Sequence, residues 1–182
     1  MRNNRKIKLL FLDAVVVLAC LLLDQITKYL AVFHLKSKPA LVLIDGVLEL
    51  DYFENTGMAF SLFQNRQLFI VLMGFAVMAV VLFFLTRLPE DRKFRIVHIL
   101  LAVLIAGALG NLIDRLRLNY VVDFISFVLI HYPIFNVADC FIVVSTVLLF
   151  LLFMFVYKDE DLEFLVFHKK RAADGHEEEE SR

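Results

Sequence analysis

Four stretches of this chain are long and apolar enough to cross a bilayer as helices, which takes about 20 largely apolar residues. Ile7 to Phe33 is broken by Lys8 at its start, by Asp13 and by the cluster Asp24, Gln25, Lys28, and Leu68 to Leu85 is unbroken. Ile96 to Ile113 is interrupted by His98 and Asn111, and Phe135 to Tyr157 by Asn136, Asp139 and a few small hydroxyl residues. The pattern predicts an all-α polytopic membrane protein with spans over about 7–33, 68–85, 96–113 and 135–157. Between the first two spans, Leu41 to Phe63 falls into short β-rich stretches broken at Asp45-Gly46 and Asn55-Thr56-Gly57. Such turn signals between apolar runs predict a small sheet on the outer surface.

Lys and Arg in short flanking segments set the orientation. Arg2, Arg5, Lys6 and Lys8 cluster at the start of span one, and Arg87, Arg92, Lys93 and Arg95 link spans two and three. Both segments are expected in the cytoplasm. The links after spans one and three carry fewer cations and face outward, and four spans return the C-terminus to the cytoplasm. Residues 1–158 read as one domain, and residues 159–182, which include Glu177 to Glu180, as a charged and disordered tail. A basic start followed by Ala19-Cys20 loosely imitates a lipoprotein processing site. Asp13 within the apolar stretch, the bulky Leu18 and the apolar sequence beyond Cys20 argue for a plain membrane helix.

Composition agrees with a membrane protein. The chain has 182 residues, 60% of them hydrophobic, and 19 are phenylalanine. An average soluble domain is roughly 45–50% apolar. With 19 Lys+Arg against 20 Asp+Glu, no field of one sign points to nucleic acid. Cys20 and Cys140 lie far apart in apolar runs, which fits neither a disulfide scaffold nor a Cys-x-x-Cys site.

Ionisable groups at membrane depth need a partner, a route to water or a function. Asp13 lies close enough to the cytoplasmic surface to reach water or a basic neighbour. Asp24 precedes Lys28 by four residues, the favourable order for a helical ion pair. Asp114 abuts Arg115 and reads as an interfacial anchor or a positioning pair. Asp123 and Asp139 have no cation within four residues in either direction. The topology puts both on the outer side, Asp123 in the loop after span three and Asp139 in the first turns of span four. If they meet in a low-dielectric pocket they cannot both ionise easily, and two carboxylates sharing a proton can activate water and polarise a carbonyl. A structural hydrogen-bond network, or two carboxylates that never meet, would leave the same sequence pattern. Asn55, Asn111 and Asn136 fall on the same side, where amides orient a substrate backbone or satisfy helix ends. No zinc motif, nucleophile elbow or phosphate loop occurs, and His98 and His131 read as structural or interfacial. A proton-coupled transporter or channel, and a membrane assembly factor, remain alternatives.

Five motifs occur in order: Asp24-Gln25-Ile26-Thr27-Lys28, Asn55-Thr56-Gly57-Met58-Ala59-Phe60, Gly110-Asn111-Leu112-Ile113-Asp114-Arg115, Val122-Asp123-Phe124 and Phe135-Asn136-Val137-Ala138-Asp139. Together they resemble the bacterial lipoprotein signal peptidase (signal peptidase II) family over about Leu9 to Tyr157. The resemblance implies a four-span aspartic endopeptidase of the inner membrane, with an extracytoplasmic β-cradle between helices one and two and the active site near the periplasmic face. It implies cleavage of prolipoproteins before a diacylglyceryl-modified cysteine, with membrane lipids as the surroundings, no metal or organic cofactor, and no particular oligomer. Asp123 and Asp139 match the catalytic pair. Asp24, Lys28, Asn55, Gly57, Asn111, Asp114, Arg115, Asn136 and Ala138 match positions that shape or support the site. Tyr52 and Phe60 are candidates for covering the cleft.

Overall fold

A computed structural model describes residues 2–57, 66–158 and 160–161. In chain order they form α1 (Arg2–Leu35), β1 (Leu41–Ile44), β2 (Leu48–Asn55), α2 (Gln67–Arg87), a 3-10 turn (Arg92–Phe94), α3 (Arg95–Leu118), β3 (Val121–Phe127) and α4 (Val137–Phe155). Four helices among the described residues have the length and apolarity to cross a membrane. The three strands form one antiparallel sheet in the order β1-β2-β3, at the end of the bundle where α1 and α3 finish and α2 and α4 begin. Of the expected β-rich segment, residues 58–63 lie outside the described residues, and so does Phe60. The tail lies outside them too, apart from residues 160–161, where Asp161 accepts a hydrogen bond from Lys93.

The third strand corrects the expectation of a loop after span three. Val121 to Phe127 pairs with β2, aligning Leu50 with Ile125, Phe53 with Asp123 and Asn55 with Val121. Its first four residues are buried, so it lacks the alternation of buried and exposed positions by which a half-buried strand is recognised. Helix α3 also runs beyond Ile113 to Leu118, ending where Asn119 adopts the left-handed conformation (φ +65°) with its N–H on the carbonyl of Arg115. That cap turns the chain sharply into β3.

Helix α3 is the central element. Its membrane-crossing window is 56% buried, against 11–17% for the other three helices. Small residues permit this, because helices in a membrane approach closely where side chains are short. Ala102 and Ala106 are fully buried. At Gly107 a Cβ would stand 2.6 Å from the carbonyl oxygen of Ala138, and at Gly110 it would collide with the carboxylate of Asp24. The outer faces carry large exposed apolar residues such as Phe11, Leu68 and Phe155, as a lipid-facing surface requires.

Asp13 finds its partner across the bundle, on α3. It is buried, and its Oδ2 lies 3.0 Å from Nδ1 of the equally buried His98 on α3. Asp13 Oδ1 and His98 Nε2 have no hydrogen-bond partner among the described residues. At 1.5 Å per helical residue this pair lies about 16 Å along α1 from Asp24.

Candidate active site

The sheet end of the bundle gathers polar side chains from five elements. Lys28 of α1 is buried, with Nζ 3.0 Å from Asp24 Oδ2 and 3.0 Å from Asp114 Oδ2. It also donates to Oδ1 of Asn111 at 2.9 Å. The expected pairing of Asp114 with Arg115 is therefore replaced by one with Lys28. Neighbouring residues on a helix point about 100° apart, whereas a facing helix can present its cation directly. Gln25 completes this layer by donating to Asp24, to Asp114 and to the carbonyl of Gly110.

The carboxylate of Asp24 reaches across to α4, where its Oδ1 accepts the backbone N–H of Ala138 at 2.9 Å. The first N–H groups of a helix have no intrahelical acceptor, so Asp24 satisfies one of them and lies at the positive end of the helix dipole. Gly110 lets the carboxylate come this close. Asp114 does the same for the sheet, accepting the N–H of Val122 at 3.2 Å. The ion cluster thus holds the beginnings of the two elements that carry Asp123 and Asp139.

Asn136 joins those two elements. As the N-cap of α4 it forms a reciprocal capping box with Asp139: Asp139 N–H donates to Asn136 Oδ1 at 3.0 Å, and Asn136 N–H donates to Asp139 Oδ2 at 3.1 Å. The Nδ2 of Asn136 meanwhile donates to Asp123 Oδ1 at 2.6 Å. One residue therefore holds both carboxylates. Phe135, bridged to Ile125 of β3, fixes the entry to the cap. The remaining oxygens are held from other sides, Asp123 Oδ2 by Asn55 Nδ2 at 2.8 Å and Asp139 Oδ1 by Asn111 Nδ2 at 2.7 Å.

Asn55 also accepts the N–H of Gly57, and Arg115 donates to the carbonyls of Asn111 and Gly57. Asp123, Asp139, Asn55, Asn111 and Arg115 all border one cavity of about 370 Å³, walled on the apolar side by Phe53, Tyr132, Phe135 and Ile142 among others. Burial pushes the Asp123 carboxyl up to about 7, reinforced by the charge of Asp139 and opposed by the hydrogen bonds from Asn55 and Asn136 and by Lys28. Its proton is thereby held to near neutral pH.

Every residue named above as catalytic or supporting falls in this assembly. Tyr52 does not line the cavity. Its hydroxyl donates to Glu54, which also accepts from Lys36, while the next residue, Phe53, forms part of the cavity wall, as alternation along a strand requires. Gln25, Gly110, Phe53, Tyr132 and Phe135 were not singled out as site residues. Gln25 could have been found from its place between Asp24 and Lys28, but the aromatic wall carries no local signal in the chain.

The sequence model described as Signal peptidase (SPase) II matches residues 16–155. This chain belongs to the signal peptidase II family. A lipoprotein signal peptidase of Caldanaerobacter subterraneus subsp. tengcongensis is 42% identical over 142 residues, covering 78% of this chain and 94% of the relative. Those of Clostridium tetani and Streptococcus pyogenes serotype M1 are 34% and 35% identical, covering 84% and 85% of this chain and 96% and 97% of theirs. Two solved structures, both titled as a bacterial membrane enzyme by the in meso method, share the fold with TM-scores of 0.68 and 0.67. Each is 24% identical, and they cover 78% and 80% of this chain and 87% and 94% of the solved chains. The fold shared with these structures accounts for the four helices and the small sheet, and membership of the family makes the chain a multi-pass membrane peptidase. The transporter and channel readings have no support beside it.

Proposed function

We propose that this peptidase removes the signal peptide from prolipoproteins by cutting on the N-terminal side of a diacylglyceryl-modified cysteine, with Asp123 and Asp139 as the catalytic pair. The observation that carries this reading is the double hold of Asn136 on both carboxylates within one cavity. With a single proton between them, the ionised carboxylate draws a proton from a water molecule. The oxygen of that water attacks the scissile carbonyl, while the protonated carboxyl donates to the developing oxyanion. Collapse of the tetrahedral species breaks the C–N bond, and the departing amine of the lipidated cysteine takes up the proton. Asn55 and Asn111 hold the two carboxylates in position, and Arg115, anchored on Gly57, borders the same cavity.

The distribution of Lys and Arg supports an orientation with both termini in the cytoplasm and this cavity at the periplasmic face of the inner membrane. In that orientation the signal helix enters from the bilayer and presents its cleavage bond at the outer interface. Residues 1–158 act as one four-span unit and residues 159–182 as a cytoplasmic extension.

The deciding experiment compares purified wild type with Asp123→Asn and Asp139→Asn on a diacylglyceryl-modified prolipoprotein in lipid, with folding of all three checked. Cleavage before the lipidated cysteine, lost by about 10²- to 10⁴-fold in each variant, is the expected result. Cleavage retained in either variant removes that aspartate from the mechanism.

A further inference from the structure

Helix α2 offers the site end of the bundle one polar side chain. Among residues 67–87 only Gln67, Thr86 and Arg87 are polar, and the last two stand about 28–30 Å away at 1.5 Å per residue. Gln67 Nε2 donates to the carbonyl of Thr56, the residue after β2, at 2.6 Å. A carbonyl oxygen can only accept, so the amide turns its nitrogen to Thr56. Its Oε1 is thereby left buried without a hydrogen-bond partner among the described residues. An unpaired buried acceptor is unfavourable, and the bond to Thr56 holds the amide in that orientation. Arg66, the N-cap of α2, makes no side-chain capping bond, so the tie between the start of this helix and the end of β2 falls to Gln67.

The turn that Gln67 holds is the one on which Asn55 depends. The N–H of Gly57 donates to Asn55 Oδ1 at 3.0 Å, which fixes the oxygen of that amide and leaves its Nδ2 to Asp123 Oδ2 at 2.8 Å. Arg115 donates to the carbonyl of Gly57 at 3.1 Å. Two consecutive carbonyls are therefore clamped from different helices, Thr56 from α2 and Gly57 from α3. Gln67 does not border the cavity between the carboxylates, and it meets Asp123 only through the turn and Asn55.

We propose that Gln67 is a positioning residue of the peptidase, which sets the Asn55–Gly57 turn from α2 and through Asn55 holds the Asp123 carboxylate in place. The inference rests on the assignment of Asp123 as catalytic made above. Without the clamp on Thr56, the Gly57 N–H no longer fixes the Asn55 oxygen, and the amide is free to leave Asp123. The other groups that act on Asp123, which are Asp139 and Lys28 by charge and Asn136 by hydrogen bond, are untouched by a change at position 67.

The test uses the full chain in lipid, with Gln67→Leu to remove the donor and Gln67→Glu to set an ionised acceptor against the Thr56 carbonyl at nearly unchanged shape. The infrared carboxyl band that disappears in Asp123→Asn is followed against pH in each variant, beside kcat and KM for a diacylglyceryl-modified prolipoprotein. In both variants the band is expected to titrate higher than in the wild type, because the bond from Asn55 favours the ionised carboxylate. The kcat is expected to fall roughly ten- to a hundredfold, the ordinary cost of misplacing a reacting group by about 1 Å, with KM within about twofold of the wild-type value. In an Asn55→Ala background, Gln67→Leu is expected to add neither a further shift nor a further loss, since both changes break the same connection. A band that stays at its wild-type position overturns the inference, and so does a full additional loss in the Asn55→Ala background, which would mean that Gln67 acts by another route. The two readings fail separately. Cleavage retained by Asp123→Asn removes the catalytic assignment, whereas an unmoved band in Gln67→Leu, with Asp123→Asn inactive, removes only the positioning role.

Discussion

Lys28 donates to Oδ1 of Asn111 at 2.9 Å, and together with Asn136 Nδ2, which donates to the same oxygen at 3.1 Å, it fixes which way the amide faces. An ammonium group can only donate, so the oxygen of Asn111 turns toward Lys28 and its nitrogen toward Asp139. A cation that does not border the cavity thus helps to position a proposed catalytic group.

Replacing Lys28 by Met is expected to cost about 3–5 kcal/mol of stability, the usual result of leaving buried charges without their partner. Here Asp24 and Asp114 would both be stranded. Thermal unfolding in detergent measures the loss, and cleavage by the folded fraction is expected to fall as well because Asn111 loses one of the two donors that orient it.

The pH dependence follows from Asp123. Its folded-state value of about 7 lies above the ordinary 3.8, so between those limits the native state binds more protons than the unfolded one. The Asp123 contribution to stability is therefore most favourable below about pH 4 and is lost as pH rises through 7. Activity that needs one shared proton is expected to decline above about pH 7. In Asp139→Asn the neighbouring charge is gone, and the Asp123 titration, followed by its infrared carboxyl band, is expected to move down while burial keeps it above 3.8. In Asn55→Ala a hydrogen bond to the ionised form is lost, and the same band is expected to titrate higher.

Three glycines separate close approach from mere tolerance. Gly107→Ala forces a Cβ against the Ala138 carbonyl, and Gly110→Ala forces one into the Asp24 carboxylate. Each is expected to cost about 1–3 kcal/mol as overpacking and to lower kcat by moving the start of α4. Among the described residues Gly74→Ala meets only Leu112 Cδ1 at 3.5 Å, an ordinary contact, and gains up to about 1 kcal/mol of helix propensity. Melting temperatures and turnover of the three variants side by side check the order.

Asp13 and His98 offer the opposite dissociation. Asp13→Ala leaves His98 buried without its partner, which is expected to lower stability by about 1–3 kcal/mol. The pair is remote from the carboxylates, so the pH profile of cleavage by the folded variant is expected to match that of the wild type.

Much of this site was legible because its chemistry is tied to local pattern. The spacing of Asp24 and Lys28 announced an ion pair, and the lack of nearby cations marked Asp123 and Asp139. Apolar runs of bilayer length located the four helices. What escaped was decided by tertiary pairing. Residues 121–127 become a strand only because β2 lies alongside, and Asp114 chooses Lys28 over its neighbour Arg115 because α1 faces α3 there. The burial of Asp13 likewise depends on His98, 85 residues away in the chain. The roles of Gly107 and Gly110 arise from helices crossing at those points, which no run of neighbouring residues records.

The arrangement also has a consequence for how the peptidase comes into being. Asp123 leaves the ribosome sixteen residues ahead of Asp139, counted along the chain, and Asn136, which holds them both, arrives with the last span. A nascent chain with three helices inserted carries half of the proposed catalytic pair and neither part of the clasp that joins it to the other half. With the pair proposed above as the catalytic one, proteolytic competence appears only when the final helix docks, and a first turnover reports that membrane assembly is complete.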